Sequence, residues 1–446
     1  MDLNKFKNKH FLALMGNFVI SGFSVLTISL LYRVLTKSDT GTWFLFLTFL
    51  GLADALRNGF LTTATVKFYA GTNKERGKTV LGSVWYLAIG ITSIIGLIDI
   101  VFYLGLEYIK NKELILVIKW LGITFFSSLP YVVTYWILIA EEDYLKILWL
   151  RLINSGIMIL VIIVLTFFNT ISLYNVLLIN LITNCFTSFI AIVWGLSKIV
   201  SLKKMNKECI LEIFHFGKYS LATNISSNLL GSINTFIVTF VLGPSALAIY
   251  NLPQRLMEII EIPLRSFVGT GMSEMAIAYN NNKMDHLVFI TKKYAGMLTF
   301  AFIPIIIIGF FTADYAVLIL GGTKYVGTDA ANIFRFFLFF SILSPIDRFN
   351  GVTLEIVHQQ KINLYKVLVM LCVNVPLAYL GIILLKNIWG VTIASPISIL
   401  AGIILGYYHL RKHIKYSILE ILQTGYQESL KFLKERVLIF PTNIKI

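Results

Sequence analysis

Twelve predominantly apolar runs follow one another along the chain. They fall at about 11–35, 41–66, 79–104, 114–140, 147–168, 173–196, 214–242, 245–278, 288–311, 329–357, 363–385 and 388–410. As helices rising about 1.5 Å per residue, all are long enough to cross the roughly 30 Å hydrocarbon core of a bilayer. Backbone in lipid must satisfy its own hydrogen bonds, and the alternating pattern of a barrel strand is absent. The pattern therefore predicts an all-α polytopic membrane protein with about twelve transmembrane helices. The longest hydrophilic break, Ser197 to Glu212, leaves six runs on either side. The expected organisation is an N-terminal lobe at 1–206, a C-terminal lobe at 207–412 and a tail at 413–446. In the tail, Ile414, Ile418, Ile421, Leu422, Leu430, Phe432, Leu433 and Val437 are spread among charges. That spacing fits an amphipathic helix at the membrane surface, or a tail without fixed structure.

The two sets of six runs resemble each other. Asn17 stands 207 residues before Asn224, Val34-Leu35 before Val241-Leu242, and Asp54 before Glu261. With the extra Pro263, Leu56-Arg57 aligns with Leu264-Arg265, and Pro130 matches Pro345 after similar stretches, FFSSLP and FFSILSP. Six spans per half imply a parallel repeat, two lobes related by a pseudo-twofold axis along the membrane normal.

Composition agrees. The chain is 57% hydrophobic and 14% charged, too apolar for the polar surface a soluble protein of this size requires. The net charge of +15 would suggest nucleic acid in a soluble protein. Here the lysines and arginines sit between the runs. They crowd the loops on one side, including Lys74, Arg76, Lys78, Lys198, Lys203, Lys204, Lys207, Lys283, Arg411 and Lys412. Only Arg33, Lys37, Lys110, Lys112, Lys324 and Lys386 fall on the other. Such a bias places both termini in the cytoplasm. The first run follows Lys5, Lys7 and Lys9 and is too long for a signal-peptide core, so it reads as a retained span. Cys185, Cys209 and Cys372 are widely separated, with neither disulfide nor zinc spacing.

Span 8 carries Gln254, Arg255, Glu258, Glu261 and Arg265 within roughly 120° of helix surface. Each charge at the bilayer centre costs about 2.5–3.5 kcal/mol, so four facing lipid would cost on the order of 10 kcal/mol. The stripe should face water or a partner helix. Arg255 with Glu258, and Glu261 with Arg265, have the spacing to pair. Span 2 repeats the theme with Asp54, Arg57, Asn58 and Thr65. Either the stripes line a polar cavity or they lock helices together by ion pairs. Arg335 and the Asp347-Arg348 pair in span 10 are further cavity candidates. Lys119, Arg151, Lys218 and Asp99 read as interfacial, and Asn17 and Asn224 as interhelical hydrogen-bonding groups. Seven prolines inside the runs (Pro130, Pro253, Pro263, Pro304, Pro345, Pro376 and Pro396) permit kinks.

Several stretches resemble a known family. "LLYRVLTKSDTGTWFLFLTFLGLADALRNGF" is similar to the opening of polysaccharide and oligosaccharide-lipid flippases, with Arg33, Leu35, Gly41 and Leu52-Ala53-Asp54 at the matching places. Leu242-Gly243-Pro244 with Tyr250-Asn251 resembles the family's second-half opening, and "NIWGVTIASPIS" a late Gly-x-x-Ala-x-Ser region. One departure is Asn234-Thr235, where such proteins often carry an acidic-basic pair. These flippases belong to the multidrug/oligosaccharidyl-lipid/polysaccharide exporter superfamily. The resemblance implies a two-lobed cavity that moves an undecaprenyl-diphosphate-linked oligosaccharide across a bacterial inner membrane for surface polysaccharide synthesis. Arg57, Arg255, Arg265, Arg335 and Arg348 would suit a diphosphate, and Asp54, Glu258 and Glu261 a sugar chain. Membrane lipids and glycan polymerase machinery would be partners, nucleic acid would not, and no cofactor is implied beyond a coupling Na+ or H+.

Three other functions fit less closely. A cation-coupled multidrug exporter of the same superfamily would want an acidic, aromatic cavity, whereas basic residues here at least match acidic ones. A membrane glycan polymerase or glycosyltransferase would need a catalytic loop, yet the loops are short and Glu141-Glu142-Asp143 is the only acidic cluster on the lysine-rich side. A scramblase without cargo selectivity is the third.

Overall fold

A computed structural model describes residues 9–412, 414 and 416–437. The first half contains α1 (Lys9–Val34), α2 (Lys37–Tyr69), α3 (Lys74–Leu104), α4 (Lys112–Ser127), α5 (Leu129–Ala140), α6 (Tyr144–Phe167) and α7 (Leu173–Val193). The second contains α8 (Lys207–Leu242), α9 (Pro244–Ile260), α10 (Ile262–Asn280), α11 (Met284–Gly321), α12 (Ala330–Phe340), α13 (Ser344–Ile356), α14 (Gln360–Leu385), α15 (Trp389–Leu410) and α16 (Ile418–Val437). No strand occurs among the described residues. The chain is a multi-pass membrane protein. Among the described residues nine helices are long and apolar enough to span, ten with the bent α4–α5 pair. α1 and the α9–α10 pair carry the other two of the twelve runs. The side chains of Asn17 and Lys218 lie outside what is described.

Short polar side chains start the helices. Thr36 accepts from Asp39 N at 3.1 Å before α2, and Asn73 from Arg76 N at 2.8 Å before α3. These oxygens satisfy backbone donors that the first turn leaves open. Gly243 and Gly322, with φ of 89° and 77°, end α8 and α11 in a conformation that favours glycine.

Three of the seven prolines sit at helix breaks. Pro130, Pro263 and Pro345 each occupy the first turn of the segment after a break: α5, α10 and α13. There a missing N–H costs nothing. Pro253, Pro304, Pro376 and Pro396 lie inside unbroken helices. Two of the breaks, at Pro130 and Pro345, are the pair matched by the sequence repeat.

The chain forms two compact units, 1–248 and 249–446. The division falls one span later than the 206/207 boundary suggested by the hydrophilic break, because α8 packs along α2. A Cβ on Gly217 would stand 2.7 Å from Phe60 O, and one on Gly59 2.7 Å from Asn224 Cβ. Without a hydrophobic drive between helices in lipid, such close backbone approach is what holds them. Unit 1 is filled by Phe60, Trp85, Trp136 and their neighbours, and unit 2 by Phe302, Phe349, Leu354 and theirs. In unit 2, α16 is an ordered helix lying against α11. Gly425 and Gly296 meet backbone to backbone, and Lys292 reaches Glu420 at 3.0 Å.

Candidate functional site

The matched charges of the repeat are in different states. In unit 1, α2 is unbroken at Asp54, so Arg57 lies one turn on and pairs with it at 2.6 Å. Arg57 is fully buried. It donates to Phe125 O at 3.3 Å and to Ser128 Oγ at 2.9 Å, and its guanidinium lies 4.1 Å from the Phe125 ring centroid. Both acceptors belong to the α4–α5 break, where the chain bends by 46°. The break frees backbone acceptors that would be costly to leave bare in a membrane, and Arg57 fills that need at Phe125 O. Its Nη1 and Nη2 are engaged by protein acceptors and its Nε is buried without a partner, so the guanidinium is turned into the interior of unit 1. Beside it, Trp136 Nε1 donates to Asn58 Oδ1 at 2.8 Å.

In unit 2 the equivalent helix is broken at Glu261. Arg265 follows after Pro263, one residue later than Arg57 follows Asp54. The expected Glu261–Arg265 pair does not form. Glu261 instead stands 4.0 Å from Arg348 of α13, and Arg265 is exposed without an ion pair to any described residue. Arg348 is 58% exposed. Arg255 and Glu258 do pair as the spacing suggests, at 2.9 Å. The single stripe read from the sequence is thus two groups, one on each side of the break. Their exposure within a span requires water, given the cost of a charge in lipid. The arrangement offers two exposed arginines, Arg265 on α10 and Arg348 on α13, the second with the Glu261 carboxylate 4.0 Å away. That chemistry suits a phosphate or carboxylate ligand with attached hydroxyls.

Arg335 is elsewhere. From α12 it pairs with Asp314 of α11, donates to Phe310 O at 3.1 Å and to Asn332 Oδ1 at 2.8 Å. Partly exposed, it clips two helices together through Nε, Nη1 and Nη2. Asp99 and Arg151 also find protein partners: Asp99 accepts from Gly122 N at 3.1 Å, and Arg151 donates to Tyr135 OH at 2.5 Å.

Sequence reasoning missed Lys366. It is 3% exposed and pairs with Asp347 at 2.5 Å, while its ammonium also donates to Asp347 O at 3.0 Å. Its stem lies in a trough of glycines: a Cβ on Gly402 would stand 3.4 Å from Lys366 Cε, and one on Gly406 3.5 Å from Cδ. The pair fixes α13, and so the position of Arg348. Tyr294 and Glu274, joined at 2.7 Å, were missed as well, and Phe267, two residues beyond Arg265, packs on Tyr294. Nothing in the sequence distinguished them from core aromatics and solvated acids. Among the described residues no group of three His, Cys, Asp or Glu could hold a metal ion.

The fold has solved counterparts. An inward-facing multidrug resistance MATE family transporter of the MOP superfamily superposes with a TM-score of 0.73 at 17% identity, covering 88% of this chain and 93% of that one. The lipid II flippase MurJ, in its inward closed conformation, does so with a TM-score of 0.67 at 16% identity, covering 98% and 93%. A MOP superfamily transporter from Pyrococcus furiosus, described as having a binding pocket of reversed polarity, gives 0.59 at 16%, covering 90% and 94%. At such identity the likeness establishes the two-lobed transporter fold. No curated relative matches the sequence. The family described as polysaccharide biosynthesis protein matches residues 30–329, two thirds of the chain, and the chain belongs to that family.

Proposed function

We propose that this protein is a flippase that carries an undecaprenyl-diphosphate-linked oligosaccharide across the bacterial inner membrane by alternating access, supplying surface polysaccharide synthesis. What supports the reading most is the presence in unit 2 of two exposed arginines, Arg265 and Arg348, in a chain of a polysaccharide biosynthesis family. A diphosphate recruits guanidinium donors, and the neighbouring Glu258 and Glu261 accept from sugar hydroxyls. The lysine-rich face is cytoplasmic in this reading, with both termini there. Transport, rather than glycosyl transfer, is the activity. The cargo is a substrate and leaves unchanged apart from its side of the membrane.

Complementation of a strain lacking the gene tests this. Arg265→Ala and Arg348→Ala should reach the membrane at wild-type level, and lipid-linked glycan should accumulate on the inner leaflet. Normal surface polysaccharide in both variants, or a drug-sensitivity phenotype in its place, would overturn the reading.

A further inference from the structure

Unit 1 contains a second polar site, far in sequence from the arginines of unit 2. Three helices, α2, α5 and α7, end at the lysine-rich face, and their ends wall a cavity of about 920 Å³. That volume is in the range of small-molecule sites. Five lysines line it: Lys74 and Lys78 from the first turns of α3, and Lys198, Lys203 and Lys204 from the segment after α7. Glu141 and Glu142 are the acids. Lys198 donates to Glu141 and, at 2.8 Å, to Tyr69 OH, while Tyr69 OH donates to Glu141 at 2.6 Å. Burial alone would lower the Lys198 pKa, but these two hydrogen bonds raise it above its ordinary value. The floor of the cavity is therefore internally balanced. Lys74, Lys78, Lys203 and Lys204 are exposed and form no ion pair with a described residue. Three helix C-termini lend partial negative charge and the start of α3 partial positive charge. The lysines outweigh them.

A positive-inside bias alone would put lysines on loops free to move. These are held. The 199–204 segment is pressed onto α3 where Gly82 leaves room: a Cβ there would stand 2.3 Å from Ser201 O. Trp85, 1% exposed, donates to Ser197 O at 2.9 Å. Ser83 and Asn206 join at 3.3 Å. Both lysine pairs thus rise from fixed backbone around one opening. Pre-set donors lose less freedom on binding, and lysine holds phosphate as a point charge. Exposed apolar residues beside them, Val200 in the lining and Trp194 and Met205 nearby, set the opening at the depth of lipid headgroups.

We infer that this cavity binds the phosphate or diphosphate headgroup of a membrane lipid. Two sources share that chemistry: the polyprenyl-diphosphate cargo, whose involvement rests on the flippase reading, and a resident anionic phospholipid.

The full-length protein in detergent is titrated with farnesyl diphosphate, phosphatidylglycerol and inorganic pyrophosphate, and compared with K74Q/K78Q/K203Q/K204Q. A control, K37Q/K110Q/K112Q/K386Q, removes equal charge from the opposite loops. Farnesyl diphosphate should bind the wild type and the control alike, compete with pyrophosphate, and lose tenfold or more in the cavity variant. If phosphatidylglycerol shows that loss and farnesyl diphosphate binds weakly, the site holds a resident lipid. If no probe binds, if binding to the cavity variant is within twofold of wild type, or if the control loses as much, the inference is overturned. Should the fourfold variant not fold, K74Q/K78Q and K203Q/K204Q are measured separately, each expected to lose at least threefold, and binding within twofold of wild type in both overturns the inference. The flippase reading is judged apart from this, on Arg265→Ala in unit 2.

Discussion

Arg57 and Asp54 pair at 2.6 Å one turn apart on α2, yet the arginine also seals the break between α4 and α5 through Phe125 O and Ser128 Oγ. Removing the guanidinium strands a half-buried carboxylate and leaves Phe125 O with Ser128 Oγ as its side-chain donor. Arg57→Ala should therefore destabilise the protein by about 3–5 kcal/mol, as breaking buried ion pairs does. Thermal unfolding in detergent reads this as a large fall in Tm. Arg57→Lys should recover only part of it, since one ammonium cannot serve three acceptors in the planar fork's geometry.

Arg265, the matched residue in unit 2, should behave in the opposite way. It is exposed and unpaired among the described residues, so Arg265→Ala should change stability by no more than about 0.5 kcal/mol. Export should nonetheless fall at least tenfold. Unfolding and glycan export measured on the same preparations separate the two arginines. A destabilised but exporting Arg265→Ala would contradict their assigned roles.

Much of this was legible in the sequence. The twelve runs became the helices and helix pairs of the fold, and Pro130 and Pro345 marked breaks at matched places. The Arg255–Glu258 pair followed from spacing on one helix. Failures came where the partner is distant. Arg335 meets Asp314 from 21 residues away, and Arg348 comes from α13 to Glu261. Helical periodicity carries no information about such meetings. Glu261 and Arg265 do remain one backbone turn apart, with Arg265 N donating to Glu261 O at 3.1 Å, yet the Glu261 side chain turns to Arg348 instead. Lys366 was passed over because a lysine near the end of an apolar run ordinarily extends toward the headgroups. The trough that buries it is made of Gly402 and Gly406, whose effect depends on what is missing from them.

Lys366 should be among the most sensitive positions of unit 2. Lys366→Met leaves Asp347 without its partner and should cost about 3–5 kcal/mol. The double variant Asp347→Asn/Lys366→Met should recover most of that loss. A double-mutant cycle on Tm checks the coupling. Simple additivity would mean that the pair contributes nothing as a pair.

The α16 helix should detach when its glycine crossing is filled. A Cβ on Gly425 would stand 2.3 Å from Gly296 C, and backbone on both sides cannot yield. Gly425→Val should make the tail susceptible to limited proteolysis while the spans stay protected.

The same docking should depend on pH. A hydrogen bond from Lys292 holds the Glu420 carboxyl below its ordinary value of 4.5. A depressed carboxyl stabilises the docked form above that value, and the contribution is lost as pH falls through the lower, folded value. Protease cleavage of the tail should increase on acidification below about 4.5, and the part due to Glu420 should be missing in Glu420→Gln.

The bend at Pro130 has a mechanical consequence. An ordinary proline kink is a soft joint, because water or a neighbouring helix can exchange at the gap. Here the gap is occupied by a fixed cation with its own counter-ion, and straightening α4–α5 would strip that cation of two acceptors at once. The elbow is rigid. Bending there would have to break both of those hydrogen bonds, so α4 and α5 turn as one bent piece.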